Sequence, residues 1–131
     1  MRPRTRLAAV LLAGAFLSTT SVEAHHSIAN FWDATKTISV KGLVKTVKLV
    51  NPHSEITLEV MEDGKPVKWV AFGLGITDLR RRGITSEMLL GKNITLEGNP
   101  PKKAAGKGVF IATIILEDGT KMNIRELDAF R

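Results

Sequence analysis

Apolar and polar residues alternate with a period of two along most of this chain, and glycine-bearing turns separate the alternating runs. The longest run extends from Thr37 to Val50. Its apolar residues change phase partway: Ile38 and Val40 share one parity, Leu43, Val47 and Leu49 the other, and Gly42 sits at the switch. A phase slip at a glycine is how a strand bends or bulges so that it can serve two sheets. Asn51-Pro52 then predicts a turn, because proline cannot donate to a ladder. Ile56, Leu58 and Val60 alternate with Thr57 and Glu59, which predicts a strand with one buried face. Asp63-Gly64 is a two-residue hairpin signal, and Val67 to Phe72 predicts the returning strand.

Gly73 and Gly75 end that pattern. Thr77 or Asp78 can cap a short helix through Leu79 to Arg82, with Gly83 at its C′ position, and Thr85 can cap a second turn holding Met88 and Leu89. Ile94 to Gly98 predicts a fourth strand, Asn99 to Gly108 a loop, Val109 to Leu116 a fifth strand, and Lys121 to Ile124 a sixth beyond the Asp118-Gly119 turn. The tail from Arg125 to Arg131 is short enough to be helical or irregular. Three strands, a helix, then two or more strands, with a bent first strand, is the order of the OB-fold. The expected architecture is therefore all-β, a small OB-like Greek-key barrel of five to six strands with one short helix between strands three and four. A six-stranded open barrel or a sandwich competes with it, and the position of the helix favours the OB-like barrel.

The start of the chain follows a different rule. Arg2, Arg4 and Arg6 precede an apolar run of 11 residues, Leu7 to Leu17, and small polar residues lead to Val22-Glu23-Ala24. This is the pattern of a secretory signal peptide cleaved after Ala24, and the run is well short of the roughly 20 residues that span a bilayer. The expected division is residues 1–24 as signal peptide and residues 25–131 as a single barrel domain without a transmembrane anchor, located in the periplasm or secreted. Ile28, Phe31 and Trp32 are expected to pack an N-terminal arm onto that domain. The whole chain carries a formal +6, and losing Arg2, Arg4, Arg6 and Glu23 lowers this to +4. A mild excess spread along the chain, together with export, argues against a nucleic-acid partner. There is no cysteine, so disulfides and thiolate metal sites are excluded.

His25-His26-Ser27 after a signal peptide, Gly42 in a long strand, Asn51-Pro52-His53-Ser54, Trp69 after an Asp-Gly turn, Leu79-Arg80-Arg81-Arg82-Gly83 and Asp118-Gly119 together resemble a family of small exported bacterial proteins known only as a domain of unknown function. The resemblance covers essentially the whole mature chain. It implies export and a β-rich fold, and brings no activity with it.

The chemistry must therefore come from the residues, and it is concentrated in the histidines. All three, His25, His26 and His53, lie at the mature end or in one turn. A free N-terminal histidine offers its α-amine and its imidazole Nδ1 to one metal ion, and a second imidazole completes three nitrogens. That set suits Cu(II), which prefers tetragonal nitrogen sites and stands at the top of the divalent affinity order. His53 is the expected second imidazole, with His26 assisting and Asp33 able to add a carboxylate. The plainer account makes His25 and His26 solvated end residues and His53 a turn residue bonded to nearby backbone.

Other motifs carry less. Arg80-Arg81-Arg82 suits the dipole of a helix C-terminus. Lys102, Lys103 and Lys107 fall in the loop that helps OB-folds bind oligonucleotides and oligosaccharides, but stacking partners are few, with five Phe, two Trp and no Tyr. Trp69 reads as core, Gly106-Lys107-Gly108 lacks the spacing of a phosphate loop, and no triad or carboxylate pair supports hydrolysis. The expected function is a periplasmic binding module that holds a metal ion, copper, for carriage or delivery. The alternatives are a metal-free domain binding an envelope protein or polymer and, more distantly, a copper redox enzyme. The first two readings make the protein a binder rather than an enzyme.

Overall fold

A computed structural model describes residues 28–103 and 106–125. The expected signal segment, His25, His26 and the tail from residue 126 lie outside the described residues. Within them the elements run β1 (Ile38–Lys48), β2 (Glu55–Glu62), β3 (Lys65–Phe72), α1 (Ile76–Arg81), α2 (Ser86–Leu89), β4 (Asn93–Asn99), β5 (Gly108–Ile115) and β6 (Lys121–Asn123). The strands form one sheet in the order β3-β2-β1-β4-β5-β6, and β3 also pairs with β5. That last pairing is parallel and short, Val70↔Gly108, Ala71↔Val109 and Phe72↔Phe110. It closes a ring of β1, β2, β3, β5 and β4, which is an OB barrel, and leaves β6 as an appended strand. Closure removes the open edges that a flat sheet of this length would expose.

β1 serves two partners, as its phase slip predicts. Ile38 to Leu43 pairs with β4, and Leu43 to Lys48 pairs with β2. The slip itself lies between Val44 and Thr46, later than the expected switch at Gly42. Val40, Gly42 and Val44 are buried on one parity, and only beyond the bulge do Val47 and Leu49 take over. Gly42 has a separate reason: a Cβ there would meet Glu59 O at 2.7 Å and Val60 Cγ2 at 3.0 Å, where β2 crosses the bend.

The barrel interior is aliphatic. Leu58 and Leu96 are fully buried from opposite sides of β1, and Leu79, Ile84 and Leu89 cover one end. Asp63 (φ 50°) and Gly64 (φ 75°) form the β2–β3 turn with both residues left-handed, the geometry that matches strand twist. α1 starts earlier than expected. Gly75 is its N-cap, and neither Thr77 nor Asp78 caps it. A bond from Ile76 N to Val50 O (3.0 Å) ties the helix start to the turn after β1. Its end follows expectation: Gly83 (φ 75°) takes the C′ position. Gly83 N bonds Arg80 O at 3.0 Å and Ile84 N bonds Leu79 O at 3.0 Å, so Ile84 and Leu79 are drawn into the core together. No helix among the described residues is long and apolar enough to cross a membrane.

Candidate metal and ligand site at the barrel end

The Asn51-Pro52-His53-Ser54 turn is stitched to the segment between β3 and α1. Ser54 N bonds Leu74 O (3.1 Å), Gly73 N bonds Ser54 O (2.9 Å), and Asn51 Nδ2 donates to Thr77 Oγ1 (3.3 Å). The Asn51–Pro52 peptide is cis. Contact is so close that a Cβ on Gly75 would land on Asn51 Oδ1 and stand 2.9 Å from Pro52 O.

This seat orients His53. Its Nδ1 lies 3.3 Å from Gly73 O. A carbonyl only accepts, so the bond requires the proton on Nδ1 and leaves the lone pair of the neutral ring on Nε2. Metal-ligating histidines are commonly held this way, with the second ring nitrogen donating to a backbone carbonyl. The imidazole stands nearly perpendicular to Phe110, 80° between planes and 6.5 Å between centroids.

Phe110 is the hub of an aromatic cluster. Trp32 stacks on it at 5.6 Å and 18° and also meets Phe72 at 5.8 Å. The Arg125 guanidinium carbon lies 4.1 Å from the centre of the Phe110 ring. Arg125 Nη2 donates to Phe110 O (2.7 Å) and to Asn99 Oδ1 (2.6 Å). Burial pushes the Arg125 guanidinium down to about 10, so it remains a cation at neutral pH. Asn99 is fully buried, and its Nδ2 donates to Lys36 O at 2.8 Å. Phe110, Asn99 and Arg125 were not among the expected site residues; Asn99-Pro100-Pro101 reads as the start of a loop.

The arm reaches this cluster through a helical turn over residues 28–31. Trp32 forms a bridge with Pro101, Asp33 N bonds Pro100 O (2.8 Å) and Lys102 N bonds Phe31 O (2.9 Å). Trp32 is buried as expected, at 6% exposure, whereas Phe31 is not, at 55%. Asp33 is engaged at both oxygens. Oδ1 accepts from Thr35 N (3.0 Å) and from Thr35 Oγ1, and Oδ2 pairs with Lys36 Nζ at 3.1 Å. The Thr35 hydroxyl first and Lys36 next hold its carboxyl at about 2, below its ordinary 3.8. A carboxyl lowered by folding stabilises the fold above its ordinary value and loses that contribution as pH falls through its folded value. Melting temperatures measured from pH 5 to pH 2 should therefore fall less steeply for Asp33→Asn than for the parent below about pH 4. Parallel curves would show that the arm does not sense this charge.

Among the described residues no group of three or more His, Cys, Asp or Glu side chains converges as a metal site. Of the expected ligands only His53 is described; His25 and His26 lie outside the described residues. Trp69 packs against the core and donates from Nε1 to Glu62 Oε1 at 2.7 Å. Lys107 bonds Glu62 Oε2 at 2.8 Å and lies 5.5 Å from the centre of the Trp69 ring. The Lys107 ammonium and then the Trp69 N–H hold the Glu62 carboxyl below its usual range. Arg80 and Arg81 occupy the last turn of α1, and Arg82 Nη1 donates to Asn123 O at 3.2 Å.

A model of a family described as "Family of unknown function (DUF6152)" matches residues 14–110. No curated protein matches the chain. Among solved structures the chain is similar to the SSB domain of a Synechococcus sp. protein, at 13% identity and a TM-score of 0.38, over 60% of this chain and 91% of that one. Strand order and closure alone carry the OB architecture.

Proposed function

The chain belongs to DUF6152, a family that brings no activity with it, and from its own residues we propose that it is an exported periplasmic module that binds a metal ion, copper, through His25 at a mature N-terminus and His53, with His26 assisting. The observation that carries this reading is the Nδ1 bond from His53 to Gly73 O, which leaves Nε2 as a lone-pair donor on a ring fixed by backbone. A second observation supports it. The arm and the His53 turn both reach Phe110, and His25 is three residues before Ile28, a span of at most about 10 Å of chain. The α-amine and imidazole of His25 would chelate one edge of the ion, and His53 Nε2 would supply the third nitrogen. Bound Cu(II) would be held for carriage or delivery.

The test is a calorimetric titration with Cu(II) of protein expressed with its own leader, its His25 start verified by intact mass. One-to-one binding is expected. His53→Ala and a one-residue extension before His25 should each weaken it on the order of 100-fold. Gly75→Val, which pushes on the Asn51 side chain and the Pro52 carbonyl, should weaken it without touching a ligand. The ligand nitrogens must be deprotonated and protons compete with the metal, so affinity should fall as the pH is lowered. Weak binding indifferent to both His53→Ala and the extension refutes the proposal.

A further inference from the structure

A groove of about 330 Å³ runs between the arm and the end of the β4–β5 loop, lined by Phe31, Trp32, Phe72, Pro101, Lys68 and Lys107 among others. It does not use His53 and is independent of the metal reading. Its size is at the lower end of ligand pockets, about 300–1,000 Å³. Its floor is the buried Trp32 ring and its rim is the exposed Phe31 ring, set edge-on to Trp32 at 5.0 Å. Gly106 and Gly108 also line it without adding a side chain, and a Cβ on Gly108 would meet the Trp32 ring at 3.5 Å.

The uncompensated charge beside it is positive. Lys107 is held by Glu62. Lys68 has no carboxylate partner among the described residues, because Glu59, its cross-strand neighbour, turns to Lys45 at 3.8 Å. Lys102 and Lys103 are exposed on the adjoining loop, with the Lys102 amide bonded to Phe31 O. An exposed apolar ring beside the uncompensated Lys68 ammonium, with Lys102 and Lys103 nearby, suits a ligand that joins a ring to a negative charge.

We infer that this groove binds an acidic sugar unit, its ring against Phe31 and its carboxylate at Lys68, as part of a uronate-bearing glycan. Single-stranded nucleic acid fits less well. Its binding sites stack successive bases on several accessible aromatics along a row of cations, and here Phe31 is the one strongly exposed ring lining the groove. One sugar ring needs a single apolar face and one or two cations.

The experiment follows Trp32 and Trp69 fluorescence, with calorimetry in parallel, while tetragalacturonate, maltotetraose or an oligo-dT octamer is titrated into the full mature chain in the presence of EDTA. Saturable binding of tetragalacturonate is expected, with little response to maltotetraose. Phe31→Ala and Lys68→Glu should each weaken it about tenfold. Both positions are exposed, and thermal melts verify that each variant is folded; if one is not, the other decides. No saturation by tetragalacturonate, equal affinity for maltotetraose, or unchanged affinity in the folded variants overturns the inference. Tighter binding of the dT octamer overturns it in favour of nucleic acid.

Discussion

Gly98→Ala should destabilise the barrel by about 3 kcal/mol in urea unfolding, the upper end of what overpacking costs. Gly98 is buried beside the irregularity between Glu97 and Gly98, where β4 shifts its register on β5. A Cβ there would land on the carbonyl oxygen of Phe110, with the carbonyl carbon at 2.8 Å and Val109 Cγ2 at 3.0 Å. The obstacle is backbone and has little room to move. The Phe110 carbonyl accepts from Arg125, and Phe110 is also one of the three residues of β5 that hold β3. Shifting it opens the seam. Gly73→Ala is the matched control, since its Cβ would meet Ile111 Cδ1 at an ordinary 3.5 Å; it should cost no more than about 1 kcal/mol, the intrinsic scale of glycine changes. If the two variants unfold alike, close approach of β4 to β5 is not what requires Gly98.

Asn99→Leu should cost a similar amount, about 3 kcal/mol, by the opposite mechanism. Leucine has the same branched skeleton with bulkier methyl ends, so no cavity forms, and the hydrogen bonds are lost. Asn99 Nδ2 satisfies Lys36 O, and Oδ1 accepts from the Arg125 guanidinium. Leucine leaves the Lys36 carbonyl and a charged Arg125 N–H each short of the bond Asn99 made, and bonds to charged groups carry the larger penalty. Asn99→Asp keeps the acceptor for Arg125 and loses the donor to Lys36, so it should recover part of the stability at neutral pH. Denaturation midpoints for the pair check this. An Asn99→Leu protein as stable as its parent would mean that other groups take over both bonds.

Local pattern made the barrel legible. Ile56, Leu58 and Val60 alternate because one face of β2 is buried, and Asp63-Gly64 announces its turn because few residue pairs tolerate two left-handed conformations in succession. What depends on distant strands was misplaced. Gly42 looks like the bend of β1, yet the bulge falls at Val44–Thr46, and Gly42 is required by a carbonyl 17 residues away in β2. Thr77 and Asp78 look like caps, yet α1 begins at Ile76 because Val50 O takes its amide. Asn99 beside two prolines looks like a loop, and its burial depends on Arg125, which no local pattern links to it. The same limit applies to the site. His53 stands out by composition alone. Its orientation by Gly73, the Phe110 cluster and the groove at Phe31 exist only once strands far apart in sequence have met.

Trp32 and Arg125 both rest on the ring of Phe110, so the first and last described segments of the chain meet at nearly the same point. A domain with neighbouring entry and exit can be spliced into a surface loop of another protein without forcing that host apart. By the same logic the arm ahead of Trp32 can be joined to Arg125 by a linker and the chain reopened at Asp63-Gly64, giving a circular permutant in which the arm becomes an internal loop. Such a molecule would keep the barrel and the His53 turn while abolishing any free amine ahead of the arm.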